Sequence, residues 1–252
     1  MILGLMIVAS STFAGDLITF VPGTPAKATE VNDNFSELAS RIKALEARLD
    51  ACNCNDVIFS EDFENTSLAN YKLVGSENTT WNLTTNAFDG NHSLKGVSSD
   101  SSSASPAIYV NTTFNLPSNT PIKIEAYVKN TGATSWNHPN GIIFGASDSE
   151  MSGYAPQIEH NQYMSLVKLN APGATIIDRT SNISVTTNTW YKWVIYYNPN
   201  NNYTKFQVYN LQNKLLGEVE TNNTPPLSNK FGFRAYRGDV EFDDITISVW
   251  DN

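Results

Sequence analysis

Val31, Phe35, Leu38, Ile42, Leu45, Leu49 and Cys52 follow one another at steps of 4, 3, 4, 3, 4 and 3 residues. A repeat of ~3.5 residues keeps such a row on one side of a helix only if that helix supercoils against a partner. The row therefore predicts a coiled-coil helix over residues 25–52, with Thr24 as a hydroxyl cap and Pro25 in the first turn. Arg41 falls at a g position and Glu46 at the following e position, where neighbouring parallel helices pair charge across the seam. Roughly three heptads are marginal as an isolated helix, so this one depends on its partners.

Side-chain shape alone, with Ile42 at a and Leu45 at d, favours a dimer. The run Arg41-Ile42-Lys43-Ala44-Leu45-Glu46, however, resembles the short Arg-apolar-x-x-apolar-Glu trimerisation motif of three-stranded coiled coils. The expectation is a homotrimer, with a dimer as the alternative and a single helix docked on its own chain as the third reading. Cys52 and Cys54 are the two cysteines of the chain. They are too close for a comfortable mutual bridge, and no second Cys/His pair completes a zinc site. Cys52 continues the seam, so both are expected to form interchain disulfides; free thiols in a loop are the alternative. Residues 1–14 combine an apolar run with Thr12-Phe13-Ala14 and read as a secretion signal, although no Lys or Arg precedes the run. Export and disulfides are mutually consistent. An N-terminal apolar anchor stays open, and no apolar stretch is long enough for a spanning helix. Residues 15–24 form an extended entry and 53–56 a linker.

From residue 57 to 252 the chain changes character. Runs with β-branched and aromatic residues alternate with Asn, Gly, Pro and Ser clusters. Ile122 to Val128 alternates inward and outward as a half-buried antiparallel strand does. About twelve such runs without a helical pattern between them predict an all-β, two-sheet antiparallel jelly-roll sandwich behind one N-terminal coiled-coil helix. The net charge is −9. An acidic chain with no basic stripe argues against nucleic acid.

Four motifs carry a family resemblance. Phe59-Ser60-Glu61-Asp62-Phe63-Glu64 opens the domain and Phe242-Asp243-Asp244-Ile245 lies in its closing strand. Between them come Asp89-Gly90-Asn91-His92-Ser93-Leu94 and a Trp-led strand from Trp190. Together, in this order, they resemble the concanavalin A-like and laminin-G-like jelly rolls and the β-sandwich carbohydrate-binding modules. The resemblance implies that the first and last strands are neighbours. It also implies a structural calcium held by Asp62, Glu64, Asp243 and Asp244, with carbonyls near 89–93; an oxygen-only donor set suits that ion.

A glycan or polysaccharide is the expected partner. Trp136, in a loop between strands, and Tyr154, Gln157, Tyr163, Arg234 and Tyr236 are the candidate ligand-binding residues. Trp136 as a cap on the core is an equal reading. A catalytic site is harder to find. The Glu-x-Asp-x-Glu pattern of the related glucanases is absent, and the alternating pairs Glu218/Glu220 and Glu241/Asp243 belong to a solvated edge and to the calcium strand. Gln157-Ile158-Glu159-His160 only approximates the Gln-Ile-His run of polysaccharide lyases with this fold. The expectation is a secreted oligomeric protein with a lectin-like or structural head, as in a surface or filament subunit. A polysaccharide lyase or glycoside hydrolase is the alternative.

Overall fold

The computed structural model describes residues 27–51, 56–65, 67–75, 78–99, 107–131, 140–159, 162–170, 173–236 and 238–250; helix side chains are described at 29 and 31–43. The chain divides into two compact units, Met1–Cys54 and Asn55–Asn252.

The first unit contributes one helix, α1, Ala28–Ala51. Its seam is laid bare: Phe35, Leu38 and Ile42 are exposed, Phe35 by 66%. Arg41 Nε donates to Glu37 Oε1, one turn back, at 3.0 Å. Leu45, Glu46 and Leu49 lie in the helix, but their side chains fall outside the described residues, as do Cys52, Cys54 and residues 1–14.

The second unit is a two-sheet sandwich, with fifteen strands among the described residues: β1 Val57–Glu61, β2 Tyr71–Val74, β3 Thr79–Thr84, β4 Ser93–Ser98, β5 Ala107–Asn111, β6 Ile122–Asn130, β7 Gly141–Ala146, β8 Ser152–Ile158, β9 Tyr163–Asn170, β10 Gly173–Asn182, β11 Tyr191–Asn198, β12 Tyr203–Tyr209, β13 Leu215–Thr221, β14 Lys230–Ala235 and β15 Gly238–Val249. Sheet A runs β13-β12-β11-β6-β15-β4-β3, with β1 also on β15; sheet B runs β10-β9-β8-β7-β14-β5-β2. All pairings are antiparallel. The all-β jelly-roll expectation therefore holds. The strands β2, β3 and β8 were not legible in the pattern. β8, Ser152–Ile158, carries a glycine and a proline, both poor strand signals.

Each inward row follows from period-two alternation. Ile122, Ile124, Ala126 and Val128 of sheet A face Phe231, Phe233, Phe144 and Tyr154 of sheet B in one core. Trp193 is 1% exposed within it. Removing water from so many aromatic rings supplies the main stabilisation, about 1.5–3 kcal/mol for each large side chain. A second apolar cluster, including Val110, Ile143, Ala155, Val167 and Leu169, takes the opposite parity of the same strands. It therefore lies on the outer face of sheet B.

β15 organises the closing edge. Its first half pairs with β4 and its second half with β1, and both lie on the same side of it. Between the halves the register shifts, and Asp244 sits at φ 47°. This bulge leaves a gap in the ladder where the segments after β1 and before β4 meet.

Candidate functional site

Two places concentrate polar side chains: the gap beside β15 and the outer face of sheet B.

In the gap, carboxylates replace missing ladder partners. Asp243 is completely buried. Its Oδ2 accepts from the amides of Phe88 (2.7 Å) and Asp89 (3.2 Å), and its Oδ1 from that of Asp244 (2.9 Å). Burial, only partly offset by these amides, lifts its carboxyl to about 6. Glu64 Oε1 accepts from the amides of Asn91 (2.6 Å) and His92 (2.7 Å), which hold its carboxyl below the usual range. A Cβ at Gly90, φ +66°, would lie 2.5 Å from that same oxygen, so the tight turn needs glycine there. Of the four expected calcium ligands, then, Glu64 and Asp243 act as caps on the 86–92 turn. Asp62 accepts from the Glu64 amide at 3.1 Å. Partial burial, with the charges of Asp89 and Asp62, raises the Asp244 carboxyl. Among the described residues no cluster of three or more His, Cys, Asp or Glu is arranged to hold a metal ion. Asp62 and Asp244 also line an open groove of about 440 Å³, with Glu125, Tyr127 and Lys192 on its other wall.

One strand step away, Lys129 Nζ pairs with Glu241 Oε2 at 2.5 Å, both almost fully buried, and the ammonium lies 4.5 Å from the centroid of the Trp190 ring. Trp190 is thus a lid on a buried ion pair rather than part of the inter-sheet core. Trp81, by contrast, packs against that core.

On sheet B, the registers place Arg234 of β14 opposite Gly141 of β7, and Gln157 of β8 opposite Ser165 of β9, which in turn faces Arg179 of β10. The Phe144–Tyr154 pair, carried along both antiparallel strands, sets Gly141 against Gln157. One transverse row results, along which the Arg234 Nη1 donates to Gln157 Oε1 at 2.7 Å. Arg234 is 2% exposed. Its Cζ lies 5.4 Å from the Tyr236 ring centroid. Burial pushes its guanidinium down to about 9. At the far end, Arg179 makes two bonds to Glu159 and lies over the Tyr163 ring.

The expected binding residues thus separate. Gln157 and Arg234 meet directly, Tyr236 borders them, and Tyr163 sits at the end of the row. Tyr154 is a correction: it points into the inter-sheet core, completely buried, with its hydroxyl donating to the Pro225 carbonyl at 2.8 Å. Its parity is opposite to that of Gln157, which period-two alternation requires for residues three apart. Trp136 and His160 lie outside the described residues. Ser165, Gly141 and Asn140 were missed. Asn140 accepts from the Tyr236 amide at 2.7 Å and fixes that residue's backbone. A short polar residue inside an apolar strand, such as Ser165, was the available signal.

No family model matches the chain, and no curated protein does. Solved structures do match its fold. The carbohydrate-binding module CBM66 from Bacillus subtilis aligns at TM-score 0.52 and 13% identity, over 73% of this chain and 97% of the module. The cellulose-induced protein Cip1 aligns at 0.53 and 16%, over 75% and 96%. Lectin II from Ulex europaeus aligns at 0.56 and 7%, over 77% and 99%. At such identities the likeness establishes the fold, that of the concanavalin A-like jelly rolls.

Proposed function

We propose that this protein is a secreted, oligomeric glycan-binding protein whose jelly-roll domain presents its site on the outer face of sheet B. The observation that carries the reading is the Arg234–Gln157 pair, a polar row in an otherwise apolar buried face with hydrogen-bonding capacity left over. Arg234 Nε and Ser165 Oγ have no partner among the described residues. Buried donors are rarely left so unless a ligand or water meets them. Rings at Tyr236 and Tyr163 add stacking surface, and the fold is one on which named carbohydrate-binding and lectin structures are built. Binding to a panel of soluble polysaccharides, by retardation in affinity gels, tests it. Retention by at least one glycan that is lost in Gln157→Ala supports the reading. No retention by any glycan, with the protein folded and oligomeric, overturns it.

Oligomerisation is part of the proposal. The bare seam at Phe35, Leu38 and Ile42 supports a parallel homotrimer, with Cys52 and Cys54 locking chains together at its base. Linked heads multiply a weak single-site affinity. Structural calcium is proposed in a reduced form, at Asp62 and Asp244 with Asp89 close by, because the mutual repulsion of these acids is what a hard cation would relieve. A rise in melting temperature with calcium that is absent in Asp62→Asn supports it; an unchanged temperature in calcium and in chelator removes it.

A further inference from the structure

We infer that the sheet B site recognises an acidic sugar, through a carboxylate seated on Arg234. The inference rests on the glycan-binding reading and goes on to name the chemical class of ligand. Arg234 is 2% exposed, and its one hydrogen-bond partner among the described residues is the neutral Gln157. No carboxylate pairs with it there, although every other described Arg, and Lys95, Lys123, Lys129, Lys192 and Lys205, has one. A buried guanidinium without a counter-charge is costly to fold, and a buried cation is ordinarily paired. Gln157 cannot supply the charge. It does fix the guanidinium plane, spending Nη1 and leaving Nε with no partner. Nε and the second terminal nitrogen form the fork that a planar carboxylate fills with two parallel bonds.

Charge distribution points the same way. The chain is acidic overall, at −9. Yet the strands of sheet B carry five bases, Lys72, Lys168, Arg179, Lys230 and Arg234, against one acid, Asp178, while those of sheet A carry eight acids against five bases. The fold thus sorts its charge between the two sheets, and the anion-compatible side is the one that holds the unpaired arginine. Repulsion from the rest of the molecule acts over longer distances, where salt screens it beyond about 8–10 Å. A glycan with spaced carboxylates fits this pattern better than a dense polyanion. The row ends toward solvent at Arg179, whose side chain is 38% exposed.

The test is calorimetric titration of the full-length oligomer with oligo-uronates and with the same oligosaccharides after reduction of their carboxyls to hydroxymethyl groups. Neutral and sulfated oligosaccharides complete the set. The expected result is binding at least tenfold tighter for a native oligo-uronate than for its reduced form. Arg234→Gln abolishes that difference and Arg234→Lys retains part of it. Comparing native with reduced ligands needs no variant, so a misfolded Arg234→Gln leaves the test intact. Equal binding of the two forms, or binding of neutral oligosaccharides alone, overturns the carboxylate inference and leaves the glycan reading standing. Binding of sulfated sugars alone overturns it also. Binding of none overturns both.

Discussion

Asp243 Oδ2 accepts the backbone amide of Phe88 at 2.7 Å across 155 residues of sequence, and so joins the last strand of the jelly roll to the turn that precedes β4. A carboxylate is needed there because β15 changes partner at this point and leaves the amides of 88, 89 and 244 without a ladder. Asp243→Ala removes the acceptor from three donors. An unsatisfied buried group costs about 1–3 kcal/mol, and the turn regains part of it from water. The expected loss is on the order of 3 kcal/mol in urea unfolding. A loss under about 0.5 kcal/mol, the range of neutral surface substitutions, would show that the cap is dispensable.

The Lys129–Glu241 pair predicts a lopsided double-mutant cycle. Lys129→Met leaves the Glu241 carboxylate buried without its cation, and breaking a buried pair costs about 3–5 kcal/mol. Lys129→Met with Glu241→Leu removes both charges and should recover most of that loss. Chemical denaturation of the two single variants and the double measures it, and additive losses would refute the account.

Glu125 sets an acid limb on stability. Burial would raise its carboxyl, but the bonds from Lys123 and Lys192, at 2.7 and 2.6 Å, outweigh that and hold it below its usual value. Its folded pKa is therefore lower than its unfolded one. The stabilisation is present above the ordinary carboxylate range and is lost as pH falls through it. Glu125→Gln should flatten the fall of melting temperature between about pH 5 and pH 3, leaving neutral-pH activity at the sheet B site unchanged. An identical pH slope in the variant contradicts the assignment.

Ile42→Asp should break the stalk. It places a charge at an a position that the isolated helix leaves 55% exposed and that only a partner helix can bury. Light scattering should give three chain masses for the parent and one for the variant under reducing conditions. Without reductant, Cys52 and Cys54 should keep the parent chains together in denaturant. A parent that is monomeric at all concentrations removes the trimer.

Gly141→Ala should damage the sheet B row without touching its polar groups. A Cβ there would collide with the Pro156 carbonyl oxygen, which is backbone and cannot swing aside. Strands β7 and β8 must separate, and Gln157 moves away from Arg234. Stability and glycan retention should fall together; full retention would show that the close approach of β7 and β8 at Gly141 plays no part.

The sandwich was legible in the sequence because alternation is a local signal. Ile122 to Val128 reveals its faces without reference to any other strand. The pairing of first and last strands was legible only through the family resemblance. The roles of the acids were not. Glu64 and Asp243 read as metal ligands in a row of carboxylates, and the structure shows a role the row does not announce, as acceptors for amides that have no ladder. Tyr154 and Gln157 lie three residues apart and looked equally available, and alternation, once the strand is placed, sends one inward and the other out.

The sequence alone determined that the chain combines a heptad helix with an all-β domain, because periods of 3.5 and 2 are written into the order of apolar residues. Tertiary structure decided where the chemistry lies. Arg234 and Gln157 are 77 residues apart, and they meet because β14, β7 and β8 are successive strands of sheet B. No local pattern encodes that neighbourhood. It follows from the order of strands in sheet B, which is fixed by the packing of the whole core.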